Sequence, residues 1–437
     1  MKGQKQNSPT DLFQLTLGND QDRNWELTPS PKPTAKDKQL FGNFASIYAS
    51  FSHTFAIEAL KNLTRGSNEV VLDPFSGVGT TLAAANELGM DSNGFDLSPF
   101  SVALSKLRFS KAIPERVFLE YIDRGADLPM VDLYSGETTK LFSSNDLVLM
   151  ASLVPRNEKD AAHDWLRTIF EDPDVTLSEQ EYVFFCTVIA ANKAANVATG
   201  SNPVWVRKLL EGEPLAQSKL EVLAKEFSQR LRSIKLNSGA PVPRVQLADA
   251  RVMPIESGSI DIALFSPPYL NRLDYFVSNF PANMVFCDIA GRDAESIRRE
   301  MIGSTKINRK GSSPYPVGEY CRSLLNDIWN HASKASRTYY YWNFVEYITS
   351  TYEVSEELRR VMKSGGRGAI VVQDSFYKDI RVLTHQIIME SLLAQGFTCE
   401  IARRETVKGH MGRMSPTQLS YADEKTLYEY VIIFSCS

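Results

Sequence analysis

Val70-Val71-Leu72-Asp73-Pro74-Phe75-Ser76-Gly77-Val78-Gly79-Thr80-Thr81 reads as a short apolar strand that breaks on an aspartate, turns on two glycines and opens a helix. The glycines let backbone approach a ligand closely, and the helix that follows offers free N–H groups at its start. Leu82-Ala83-Ala84-Ala85-Asn86-Glu87-Leu88 then has high helix propensity and stops at Gly89. A second strand ends at Gly94-Phe95-Asp96, and an amphipathic helix follows through Leu107. Strand, helix, strand, helix implies an α/β fold with a mostly parallel, doubly wound sheet. Ligands collect at the carboxyl edge of such a sheet, where Asp73 and Asp96 both fall.

A second loop belongs to the same edge. Ile260-Asp261-Ile262-Ala263-Leu264-Phe265 is a buried strand, and Ser266-Pro267-Pro268-Tyr269 follows it directly. Two prolines fix φ and remove N–H donors, so neighbouring carbonyls are held outward as acceptors. Tyr269 offers a flat ring on which a base can stack, a contact of about 1 to 3 kcal/mol in nucleic-acid complexes. Such a loop suits a planar ring bearing an exocyclic amine.

The upstream turn lacks the third glycine of the dinucleotide fingerprint and the Gly-Lys-Ser/Thr of a phosphate loop, which disfavours NAD or a triphosphate. Asp73 instead sets a carboxylate where the ammonium group of an amino-acid-bearing cofactor could sit. Asp96 can accept both hydroxyls of a ribose, or simply cap the next helix. Asp249, followed by Ala250-Arg251, has the matching place for an adenine amino group, or is a surface loop carboxylate.

The 437 residues allow one large domain with insertions or two domains. A composition of 43% hydrophobic and 23% charged residues is that of an ordinary globular protein. With a net charge of -4 and a pI of about 5.9, any nucleic-acid contact must come from a local basic surface. Cys186, Cys287, Cys321, Cys399 and Cys436 share no metal-ligand spacing with the five histidines, so buried thiols in a reducing compartment, and no metal, are expected. No apolar run is long and uncharged enough to span a bilayer, and a cytoplasmic protein without membrane contact is expected.

Residues 1–40 are polar and read as a flexible arm. Apolar residues from Tyr48 to Leu63 recur at helical spacing. The catalytic domain is expected over 41–113 and 240–437, interrupted by a mainly helical insertion over 114–239 that is a candidate target-recognition region. Helices are expected at Glu179 to Ala195, Leu209 to Ile234, Val354 to Met362 and Thr384 to Ala394. Sheet-type segments fall at Val245 to Asp249, Gly368 to Asp374, Phe397 to Ala402 and Tyr428 to Phe434. The stretch from Leu270 to about Ser350 reads as irregular.

Taken together, these residues resemble the S-adenosylmethionine-dependent amino methyltransferases of DNA, over about 45–110 and 240–437. Asp73, Pro74, Phe75, Ser76, Gly77, Gly79, Thr80 and Thr81 are similar to that family's cofactor motif, and Asp96 with Leu97 to its ribose-binding acid. Asp249-Ala250 is similar to its adenine-contacting pair, and Ser266-Pro267-Pro268-Tyr269 to its catalytic motif. Ser52-His53-Thr54-Phe55 loosely matches a segment that packs over the cofactor's methionine end.

The resemblance implies a Rossmann-like methyltransferase fold, S-adenosylmethionine as cofactor and double-stranded DNA as partner. Serine at the head of the catalytic motif is typical of cytosine-N4 enzymes, aspartate of adenine-N6 enzymes, so cytosine N4 is the expected acceptor. The expected setting is a restriction-modification or defence system, with a separate endonuclease or defence subunit as a further partner. The Pro-Cys dipeptide of 5-methylcytosine enzymes is absent. Asn271, Arg272, Arg309 and Lys310 are candidate substrate contacts. Arg298, Arg299 and Lys306 are further candidates for phosphates, or form an ordinary solvated face. An adenine-N6 or RNA amino methyltransferase, and a catalytically silent nucleic-acid-binding scaffold, are the alternatives.

Overall fold

The computed structural model describes residues 25–41, 44–45, 50–123, 133–154, 159–195, 197–199, 206–208, 220–270, 274–307, 318–407 and 426–437. Its centre is a seven-stranded sheet of β1 (Val70–Asp73), β2 (Asp91–Asp96), β3 (Arg244–Leu247), β4 (Ile260–Phe265), β5 (Met362–Gln373), β6 (Phe397–Val407) and β7 (Leu427–Cys436). The spatial order is β6-β7-β5-β4-β1-β2-β3. Neighbours from β5 to β3 run parallel, and β7 is antiparallel to both β5 and β6. The chain leaves β1 on one side toward β2 and β3, then returns to its other side at β4. This is the doubly wound, Rossmann-like methyltransferase fold expected from the sequence.

Alternate residues along the central strands face opposite layers, which is why these strands read as continuous apolar runs. Val71, Ile262, Leu264, Ala369 and Val371 face α1 (His53–Leu63). Leu72, Ala263, Phe265, Ile370 and Val372 face the layer of α6 (Tyr341–Val361) and α7 (Thr384–Ala394). Helix α1 begins at His53 rather than Tyr48, because the Ser52 hydroxyl caps it by accepting the Phe55 N–H at 3.2 Å.

The segment expected to be a flexible arm divides. Residues 1–24 lie outside the described residues, whereas 25–41 are docked on the domain. Ser30 donates to Glu405 at 2.6 Å, Lys32 to the Thr406 carbonyl at 2.7 Å, and the Ser52 N–H to the Pro31 carbonyl at 2.7 Å. The described helices of 114–239 share one apolar cluster with α3 (Pro99–Phe109) and α5 (Phe280–Ile289). Helix α4 (Glu179–Ala194), started by a Ser178/Glu181 capping box, runs through the middle of it.

The irregular stretch expected from Leu270 to Ser350 is instead largely helical, with Tyr275–Ser278, α5, Ala294–Glu300, Glu319–Asn330 and the start of α6. Helix α5 is buried almost all round, from Pro281 to Cys287, and so shows no amphipathic period to read. Strand β5 begins at Met362, the last residue of the expected helix and well before the expected start at Gly368, so it takes in Lys363-Ser364-Gly365-Gly366. All five cysteines are free and buried, as expected. Among the described residues no helix is long and apolar enough to cross a membrane.

Gly94 in β2 shows how tightly α2 (Thr80–Glu87) and the first loop are pressed on the sheet. A Cβ there would lie 2.5 Å from Leu82 Cδ1 and 2.9 Å from Ser76 Cβ. Gly94→Val should therefore lower unfolding free energy by about 1 to 3 kcal/mol through overpacking, read as a lower urea midpoint with unchanged slope.

Candidate active site

Both sequence loops open onto one cleft at the carboxyl edge of the sheet. It lies where the strand order turns back between β1 and β4, the position at which ligands bind in open α/β sheets.

The β1 turn is held from several sides. The Ser76 N–H donates to the Phe95 carbonyl at 2.8 Å and the Gly79 N–H to the Ser76 carbonyl at 2.7 Å. From α3, Ser105 Oγ donates to the Gly77 carbonyl at 2.8 Å and Arg108 to the Val78 carbonyl at 2.9 Å. With its carbonyls tied down from below, the turn faces the cleft as a rigid strip. Gly77 and Gly79 both have positive φ, at 50° and 73°, where a side chain is strained. Gly79 packs against Phe109 and Ser105 rather than lining the cleft.

Asp96 joins the two halves of the cofactor end. One carboxylate oxygen accepts the Gly77 N–H at 3.0 Å and the other the Ser98 N–H at 2.8 Å. Each oxygen keeps a lone pair for a further donor. Burial pushes this carboxyl up to about 6. Asp73 is 3% exposed; burial pushes it up to about 7, against hydrogen bonds from Thr81 and the Phe75 N–H.

Thr81 does not line the cleft, but it governs Asp73. Its Oγ1 lies 2.6 Å from Asp73 Oδ2 and 3.0 Å from the Leu264 carbonyl. One hydroxyl hydrogen cannot serve both, and the carbonyl can only accept. Offered to Asp73, that hydrogen favours the ionised carboxylate and leaves the Leu264 carbonyl short.

Pro74, Phe75, Ser76, Thr80, Leu97, Asp249 and Ala250 also line the cleft. Asp249 is clasped by its neighbour, with Arg251 Nη2 2.6 Å from Oδ2 and Nε 3.0 Å from each oxygen. Phe51 and Ser50 line the cleft, whereas the Ser52 to Phe55 segment forms the start of α1 behind them.

At the other loop, Ser266 and Pro268 line the cleft, and Pro267 faces a separate small apolar cavity beside Phe265 and Tyr347. Ser266 Oγ lies 2.9 Å from the Val371 carbonyl and 3.1 Å from Tyr269 Oη. Ser266 is the donor toward both, its one hydrogen serves one of them at a time, and its oxygen lone pairs are left to accept from the cleft. The Pro268 carbonyl is taken by the Tyr347 phenol at 3.0 Å. Tyr269 is 7% exposed and packs in the apolar cluster under the loop, away from the cleft wall. Burial raises its phenol well above the usual range.

Sequence reading missed Tyr275, Ser278, Asn279, Met301 and Ile302, which also line the cleft. All five lie in the stretch from Leu270 to about Ser350 that the sequence reads as irregular. Arg298 is no free phosphate contact: Nη2 lies 2.7 Å from buried Asp274 and Nη1 3.2 Å from Glu295. Arg299 and Lys306 also pair with Glu295, at 3.6 and 2.9 Å. Asn271, Arg272, Arg309 and Lys310 lie outside the described residues.

The DNA methylase family profile matches residues 4–107, which hold the β1 turn and Asp96 and stop short of Ser266. The Type II methyltransferase M.AvaI of Nostoc sp. is 19% identical over 298 residues, 63% of this chain and 60% of that protein. M.BsoBI of Geobacillus stearothermophilus, also a Type II methyltransferase, is 22% identical over 322 residues, 67% of this chain and 61% of that protein. The chain thus matches about three fifths of the length of these relatives. Among solved structures, a geranyl diphosphate methyltransferase with sinefungin aligns over 87% of this chain and 76% of its own, at 8% identity and a TM-score of 0.33. That level adds nothing to the strand order itself.

The donor set fits S-adenosylmethionine. Asp96 has acceptors for ribose hydroxyls, Asp73 can balance an ammonium group, and Phe75, Leu97 and Ala250 offer apolar walls. The two raised carboxyls also set a pH dependence. An unfolded aspartate loses its proton near pH 4, whereas folded Asp96 and Asp73 keep theirs to about 6 and 7. Across that window the folded state binds more protons, so these groups make stability fall as pH rises. Urea midpoints at pH 5 and pH 7.5 should show a smaller drop for Asp73→Asn than for the unsubstituted protein.

Proposed function

We propose that this chain transfers a methyl group from S-adenosylmethionine to the exocyclic N4 of cytosine in double-stranded DNA, as the modification component of a restriction or defence system. One observation carries the reading: the Ser266 hydroxyl and the Asp73 and Asp96 carboxyls, from strands on either side of the switch point, line one cleft.

When bound, S-adenosylmethionine supplies an electrophilic methyl group on a sulfonium. Asp96 would hold its ribose, Asp249 and Ala250 its adenine end, and Asp73 its amino group. Because both carboxyls ionise more readily beside a cation, cofactor affinity rises as pH climbs through about 6 to 7.

The N4 lone pair of cytosine is delocalised into the ring, and the acceptor loop works against that. Ser266 Oγ, which gives its hydrogen to Val371 or Tyr269, takes one N4–H on an oxygen lone pair. Holding that hydrogen draws the nitrogen toward tetrahedral geometry. A paired base cannot present that nitrogen, so cytosine enters flipped from the duplex. Reading of the target sequence is assigned to the 114–239 insertion, whose described helices share a core with α5 beside the cleft.

The test is mass spectrometry of nucleosides from unmethylated DNA incubated with the protein and labelled S-adenosylmethionine. N4-methylcytosine is the expected product, and N6-methyladenine would contradict the acceptor assignment. Ser266→Ala should slow single-turnover transfer about tenfold or more, a loss of at least ~1.4 kcal/mol, with cofactor affinity unchanged by calorimetry.

A further inference from the structure

A ring that packs on a substrate base must show a face to the cleft. Tyr269 shows none: it is 7% exposed, sits among Phe265, Tyr347 and Ile302 beneath the loop, and its phenol oxygen accepts from Ser266 Oγ. Tyr275 lines the cleft. Its phenol accepts the Tyr269 N–H at 3.0 Å, which places it at the acceptor end, beside Pro268, rather than at the ribose end.

The residue before it is built as an anchor. Asp274 is 2% exposed, and its Oδ1 caps the short helix Tyr275–Ser278 by accepting the Val277 N–H at 3.1 Å. Its Oδ2 receives Arg298 Nη2 at 2.7 Å and Thr305 Oγ1 at 3.3 Å. A buried carboxylate with a guanidinium partner is costly to leave unpaired, so the helix start is fixed from two segments further along the chain. Anchored behind by Asp274 and tied in front to the Tyr269 amide, the Tyr275 ring has little freedom.

Resting on the cytosine-methyltransferase reading, we propose that Tyr275, and not Tyr269, supplies the aromatic face against which the flipped acceptor base packs. Arg298, through Asp274, is its positioning residue. Tyr269 then serves the loop itself, by accepting from Ser266 Oγ and filling the core below.

The test compares Tyr275→Ala, Tyr275→Phe and Tyr269→Phe in single-turnover methylation of unmethylated DNA, with S-adenosylhomocysteine affinity and thermal unfolding measured on each. Tyr275→Ala should lose at least tenfold in transfer, in keeping with the worth of one base–aromatic stack. Its affinity for S-adenosylhomocysteine should stay within about threefold. Tyr275→Phe keeps the ring and should restore most of the rate. Tyr275→Ala transferring at the unsubstituted rate would overturn the assignment. So would a parallel loss of S-adenosylhomocysteine binding, which would make the ring a cofactor wall, or a Phe variant as slow as Ala, which would make the phenol bond the useful part. No transfer by the unsubstituted protein to any DNA would overturn the methyltransferase reading itself, a result distinct from these.

Discussion

A parallel sheet has a single carboxyl edge, and in this chain its strand order turns back between β1 and β4. The loops after those two strands therefore diverge into opposite halves of the fold and leave a crevice between them. Asp73 ends β1 and Ser266 follows β4, so the long intervening sequence is folded away and the two groups meet at one opening. The helices of the insertion, α1 and the long α6 serve this arrangement by covering the faces of the sheet.

Keeping two carboxyls in that crevice has an electrostatic cost, visible as the raised protonation of Asp73 and Asp96. Sites tuned for binding accept such a penalty because a cationic, hydroxyl-bearing ligand relieves it. Thr81 works the other way, since the hydrogen it offers Asp73 favours the ionised carboxylate and so tempers the rise. At the acceptor loop the corresponding device is the order of hydrogen bonds around Ser266, which leaves its hydroxyl an acceptor toward the cleft. Cofactor and acceptor ends are thus prepared in opposite senses, one for a cation and the other for amine hydrogens.

Much of this was legible in the sequence. The Asp73 turn, Asp96 and the Ser266 loop are local signals, because each is a break in an apolar strand with residues that restrict or free the backbone. Ile260–Phe265 and Thr384–Ala394 match their expected bounds for the same reason. Partners from distant segments were not legible. Nothing beside Arg298 in sequence shows that Asp274 takes its charge, and nothing in Ser266-Pro267-Pro268-Tyr269 shows that its tyrosine turns inward while Tyr275 takes the wall. Helix α5 escaped because total burial erases the periodicity on which helix reading depends.

The most direct measurement is a crystal structure of the protein with S-adenosylhomocysteine. The account predicts ribose hydroxyls on the Asp96 carboxylate, the amino group at the Asp73 end, and the sulfur directed at Ser266 across the cleft. A nucleoside bound elsewhere, or a sulfur turned away from Ser266, would contradict it.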